Sequence, residues 1–182
     1  MKKQMLVLLP LFLVFISAFS QEPANPNHFE GQTSFYAELG GPGVVFSANF
    51  DRRFKPSSLG WGMRAGIGFA TFWDDYYDTT RNYNYYSHQR SVATFPVQVN
   101  YIFGKPASPH TFEAGAGLTL LSKKMDVFDS YRDEKSLLLA TFSFMYRRQP
   151  YNGGFSWRIG FTPVISSGYI QPSGGGSVGY NF

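Results

Sequence analysis

The chain has 182 residues, no cysteine, 15% charged and 19% aromatic residues, and a formal net charge of +4. Without cysteine there are no disulfides, no thiolate metal sites and no lipidated N-terminal cysteine. The cations form no basic stripe, which argues against nucleic acid as a partner, and Lys2 and Lys3 belong to a leader whose removal lowers the charge to about +2.

Residues 1–20 read as a cleaved signal peptide. Lys2 and Lys3 precede an apolar run from Leu6 to Phe19, and Ala18-Phe19-Ser20 supplies small residues at cleavage spacing before Gln21. The run is shorter than the ~20 residues a bilayer-spanning helix needs, and it contains Pro10. Residues 21–32, with Pro23 and Pro26, read as a polar periplasmic linker, and 33–182 as one barrel domain.

From residue 33 onward the hydrophobic period is two. Eight strands are expected over roughly 33–40, 44–54, 61–73, 91–104, 111–122, 135–146, 154–166 and 174–182. The seventh is the clearest, with Phe155, Trp157, Ile159, Phe161, Pro163 and Ile165 opposite Ser156, Arg158, Gly160 and Thr162. Short turns carry proline with a basic residue: Lys55-Pro56, Lys105-Pro106 and Arg147-Arg148 before Pro150. The other connections are Gly41-Pro42-Gly43, long loops at 74–90 and 123–134, and a Gly/Ser-rich one at 167–173. Short turns on one side and long loops on the other are the outer-membrane pattern, with long loops outside the cell. An even strand count brings both ends of the barrel to the periplasmic side. Pro96 and Pro163 are expected as ladder breaks or bulges near the extracellular rim.

A soluble lipocalin-like barrel would bury the aromatic face; a membrane barrel inverts this. Two features favour inversion. The polar faces are crowded with glycine (Gly62, Gly66, Gly68, Gly115, Gly117, Gly160), which suits a narrow lumen. Bulky aromatics cluster near strand ends, as in interfacial girdles: Trp61, Trp73, Tyr101, Phe103, Tyr146, Trp157. Trp61 to Trp73, at ~3.3 Å per residue and ~40° tilt, covers about 30 Å, close to the thickness of a bilayer core. The fold class is therefore all-β, an eight-stranded antiparallel up-and-down transmembrane β-barrel.

With these features the chain resembles the small eight-stranded outer-membrane barrels of the OmpA/OmpX type over nearly all of its expected mature length. The resemblance implies an outer-membrane location in a Gram-negative bacterium, contact with membrane lipid and lipopolysaccharide, and a monomer. It also implies a C-terminal sorting signal for the barrel-assembly machinery, matched by Tyr180 and Phe182, with Ser177 where the signal's usual glycine falls. Phe95-Pro96-Val97, Phe103-Gly104-Lys105 and Glu113-Ala114-Gly115 are similar to stretches in barrels of this kind.

Glu38, Asp51, Arg53, Arg64, Glu113 and Arg158 fall on the polar faces. Lone charges in a narrow lumen are costly, so a salt-bridge network that fills the barrel is expected. A gated or narrow ion path is the other reading. In the 74–90 loop, Tyr76, Tyr77, Tyr83, Tyr85 and Tyr86 are candidates for binding an extracellular protein or glycan. Asp74, Asp75 and Asp78 lack the glycine turn and bidentate acid of a Ca²⁺ loop. No motif calls for a cofactor. A lipid A-modifying barrel enzyme is the alternative function: His88 with Ser87 or Ser91 and a nearby Asp is the one His/Ser/Asp set that could face the outer leaflet, and no motif binds these residues together.

Overall fold

The computed structural model describes residues 31–78, 84–106, 108–125, 136–150, 152–166 and 169–182. The signal peptide, most of the linker, Tyr83 and residues 126–135 lie outside the described residues. Ten hydrogen-bonded strands follow in chain order: β1 (Thr33–Gly40), β2 (Phe46–Arg53), β3 (Gly60–Asp78), β4 (Asn84–Gly104), β5 (His110–Met125), β6 (Ser136–Arg148), β7 (Gly154–Phe161), β8 (Val164–Ser166), β9 (Tyr169–Gln171) and β10 (Gly174–Asn181). They make eight staves. β7 and β8 are one stave, because both pair with β6 in unbroken register from Arg148↔Trp157 to Ala140↔Ile165. β9 and β10 are another, running along β8 and β7.

Every neighbour in the sheet is antiparallel. β1 pairs with β10 and β5 with β6, so the sheet closes and no stave is left as an edge. Phe182 lies beyond the last strand, where its N–H donates to Thr33 O (2.8 Å) and its O accepts from Gly31 N (2.5 Å). The two ends of the described chain therefore meet at one mouth of the barrel, the "terminal" mouth.

The two prolines interrupt the ladder without shifting it. β3–β4 pairing stops at Ala65↔Val97 and resumes at Gly68↔Thr94 in the same register, leaving Pro96 unpaired on that side. Pro96 sits midway between Trp61 and Trp73 along the hairpin rather than near the rim. Pro163 separates β7 from β8 towards the far mouth; its O accepts from Phe142 N (3.0 Å), and the reciprocal donor is the one proline lacks.

The expected long loop at 74–90 is instead a continuation of the β3–β4 ladder, through Asp74↔His88 and Tyr76↔Tyr86 to Asp78↔Asn84. Tyrosine is a strong strand former, and that preference prevails over the polar composition.

Side-chain polarity is inverted relative to a soluble protein. Phe35, Phe50, Trp61, Ile67, Phe95, Val99, Phe112, Phe144, Ile159 and Val178 are exposed on the outside, while serines, threonines, amides and ion pairs fill the inside. The inward glycines answer to the narrow bore. A Cβ at Gly115 would lie 2.6 Å from Ser143 Oγ, and one at Gly160 2.7 Å from Met145 Cα.

Candidate functional site

The lumen is the most organised polar site among the described residues. Its centre is a set of seven charged side chains, all almost fully buried: Glu38, Asp51 and Glu113 with Arg53, Arg64, Arg147 and Arg158. Glu113 on β5 accepts from Arg147 Nη1 (3.2 Å) and Arg158 Nη1 (3.1 Å) and lies 3.9 Å from Arg64 Nη1. Asp51 on β2 pairs with Arg53 and with Arg147 Nη1 (3.0 Å). Glu38 on β1 takes Arg158 Nη2 at 3.4 Å and Arg64 Nη1 at 3.5 Å. Asn100 ties the halves together, donating to both Asp51 (3.2 Å) and Glu113 (3.1 Å) and accepting from Arg53 (2.6 Å). Arg158 Cζ also lies over the Tyr36 ring, 3.6 Å from its centroid.

Both mouths are covered. At the terminal mouth Gln149, after β6, donates to Ser58 O in the β2–β3 turn (2.8 Å), a bond between opposite walls. At the far mouth the Gly41–Gly43 turn between β1 and β2 forms a buried 3-10 helix folded into the bore. Thr119 Oγ1 donates to Pro42 O (2.6 Å) and Thr94 Oγ1 to Gly43 O (3.1 Å), so two distant staves hold its carbonyls. Gly41 has φ +71°, and a Cβ there would lie 2.7 Å from the Glu38 carboxyl carbon. Val44 ends the turn at φ 76°, a left-handed conformation that a β-branched residue rarely adopts. Its side chain packs against a buried apolar ring of Ala70, Val92, Leu121, Leu139 and Val164.

Against solved structures, the N-terminal β-barrel domain of Pseudomonas aeruginosa OprF matches with a TM-score of 0.54 at 12% identity, over 84% of this chain and 99% of that one. The fold is that of a small outer-membrane β-barrel. Yersinia pestis Ail, an outer membrane protein with a backbone structure in a phospholipid bilayer nanodisc, matches at 12% identity over 84% of this chain and 100% of that one, with a TM-score of 0.48. No protein-family model and no curated protein sequence matches the chain.

Within this outer-membrane barrel fold the candidates separate into three places. Glu38, Asp51, Arg53, Arg64, Glu113 and Arg158 lie together in the lumen. Tyr76, Tyr77, Tyr85 and Tyr86 lie on the extended β3–β4 hairpin rather than in a loop. His88 stands opposite Asp74 in the same ladder and Ser87 opposite Asp75, while the Ser91 hydroxyl is 3.3 Å from Thr71 Oγ1. Tyr180 and Phe182 stand side by side on the outer face at the terminal mouth, ring centroids 5.3 Å apart.

Sequence reasoning assigned Arg147 to a turn, whereas it is the last inward residue of β6 and bridges Asp51, Glu113 and Ser34. The inward series Leu139, Thr141, Ser143, Met145 carries the signal; one further step of period two reaches Arg147. Ser177, which departs from the sorting signal's glycine, accepts from Arg158 Nε (2.8 Å) and so holds that guanidinium in place.

Proposed function

We propose that this chain is an outer-membrane barrel with a plugged lumen, monomeric, whose work is structural or is done by its extracellular surface. The observation that carries this reading is the three-tier filling of the bore: Gln149–Ser58 at one mouth, the ionic network at the centre, and the inward Gly41–Gly43 turn beneath an apolar ring at the other. Among the described residues these three tiers cross the bore, which favours the outside as the working surface. The apolar exterior and the aromatics at the terminal mouth support embedding among phospholipid and lipopolysaccharide. Closure of the sheet on itself supports a monomer, since no strand edge seeks a second copy. In this reading the terminal mouth faces the periplasm, the barrel-assembly machinery reads Tyr180 and Phe182, and the β3–β4 hairpin stands outside the cell to contact an extracellular protein or glycan.

Expression in a Gram-negative host followed by membrane fractionation tests the location. The chain is expected in the outer-membrane fraction, with electrophoretic mobility that changes on boiling. Deleting Phe182 should lower the amount assembled without altering the mobility of what is. A soluble product with no change on boiling would overturn the reading.

A further inference from the structure

Exposed cations stand at both mouths, with Arg90, Lys123 and Lys124 towards the far one, but no described acidic side chain stands on the rim of the terminal mouth. At the terminal mouth Arg52, Lys55, Lys105 and Arg148 are exposed. Among the described residues none of these four has a carboxylate partner within ion-pair distance. Of the described acids, Glu38, Asp51 and Glu113 are buried in the lumen, and Asp74, Asp75 and Asp78 belong to the opposite end of β3. Among the described side chains, the rim of the terminal mouth thus carries cations and no acid.

On one side of that rim the cations sit on an aromatic shelf. Arg148 is paired across the sheet with His110 on β5 and with Trp157 on β7. Lys105 follows directly on Gly104, which pairs with Thr111, so it lies beside His110. Tyr146, one outward step from Arg148 towards the middle of the barrel, bonds His110 Nδ1 through its hydroxyl (2.5 Å). Its ring lies 5.3 Å from Trp157 and 5.7 Å from Phe112. Beyond this shelf, exposed Phe144 and Ile159 continue the apolar wall. Read outward from the middle of the barrel, the order is apolar wall, aromatic shelf, then cations, which matches the acyl chains, glycerol region and phosphate of one lipid.

We infer that Lys105, His110 and Arg148, above Tyr146 and Trp157, form a headgroup site for a phospholipid of net negative charge in the leaflet around the terminal mouth. The cations supply attraction to the phosphate and to the excess negative charge, and the imidazole supplies a hydrogen-bonding edge. A zwitterionic headgroup brings its own ammonium up to Lys105 and Arg148 and so is disfavoured. The inference rests on the membrane-barrel reading, and its test separates the two.

Trp157 stands beside the site, and Trp61 and Trp73 are the other tryptophans of the chain. With Trp61 and Trp73 changed to Phe, the full chain is folded into zwitterionic vesicles containing a minor fraction of brominated lipid, phosphatidylglycerol or phosphatidylcholine. Trp157 should be quenched by both, with relative association about 25-fold higher for brominated phosphatidylglycerol. Lys105→Gln with Arg148→Gln should remove the preference, at about fivefold per cation, and leave quenching by phosphatidylcholine unchanged. Arg52→Gln with Lys55→Gln, on the neighbouring part of the rim, should leave the preference in place. Equal association of the two lipids, or a preference that survives loss of Lys105 and Arg148, overturns the site while leaving the membrane barrel standing. No quenching by either lipid overturns both.

Discussion

Glu113 faces three guanidinium groups, of Arg64, Arg147 and Arg158, with no water-facing surface of its own. Removing its charge leaves those cations to Glu38 and Asp51, which already serve Arg53, Arg64, Arg147 and Arg158 between them. Breaking a buried ion pair from one side costs about 3–5 kcal/mol, so Glu113→Gln is expected to lower barrel stability by an amount in that range, read from urea unfolding in vesicles. The double change Glu113→Gln with Arg158→Gln should cost less than the two single changes added, because each removes the other's unpaired partner. A Glu113→Gln barrel within about 0.5 kcal/mol of the parent would mean that the network is not held by charge compensation. At this scale most of the site is legible in the sequence: alternation alone assigns Glu113, Arg158 and the rest of the six to the inner face. Arg147 is not, because two arginines before a proline read as a turn, and only the extra strand residue turns the first of them inward.

At the scale of elements, the β3–β4 hairpin is the departure from expectation. Its ladder continues five pairs past Trp73↔Gln89, from Asp74↔His88 to Asp78↔Asn84, adding about 16 Å of strand at ~3.3 Å per residue. A tyrosine-rich ribbon presents large rigid side chains at low entropic cost, which suits a contact surface better than a slack loop does. Replacing residues 75–87 by an Asn-Gly turn joins Asp74 to His88 in a two-residue hairpin. The shortened protein is expected to keep its heat-dependent mobility and to lose binding of expressing cells to matrix-protein and glycan surfaces. Undiminished binding would remove the hairpin from that role. The Gly41–Gly43 element was legible only as a reversal of direction. Gly-Pro-Gly marks a turn, but whether the turn folds into solvent or into the bore depends on Thr94 and Thr119, donors far along the chain that no local pattern points to.

For the whole molecule, the class of fold followed from two physical constraints that the sequence carries openly. A period of two with aromatics on one face and glycine and charge on the other demands a closed sheet turned inside out. The bore of such a small barrel is narrow enough that inward Gly115 and Gly160 have no room for a Cβ. What alternation does not report is how the interior is closed, because that depends on the two turns, at Ser58 and Pro42, that reach across the lumen. Whether this interior is plugged is read from the conductance of the purified full chain in planar bilayers. Insertion without stable channel steps across the range of voltages the bilayer tolerates is the expected result. Long-lived openings of uniform, large conductance from the unmodified protein would contradict it.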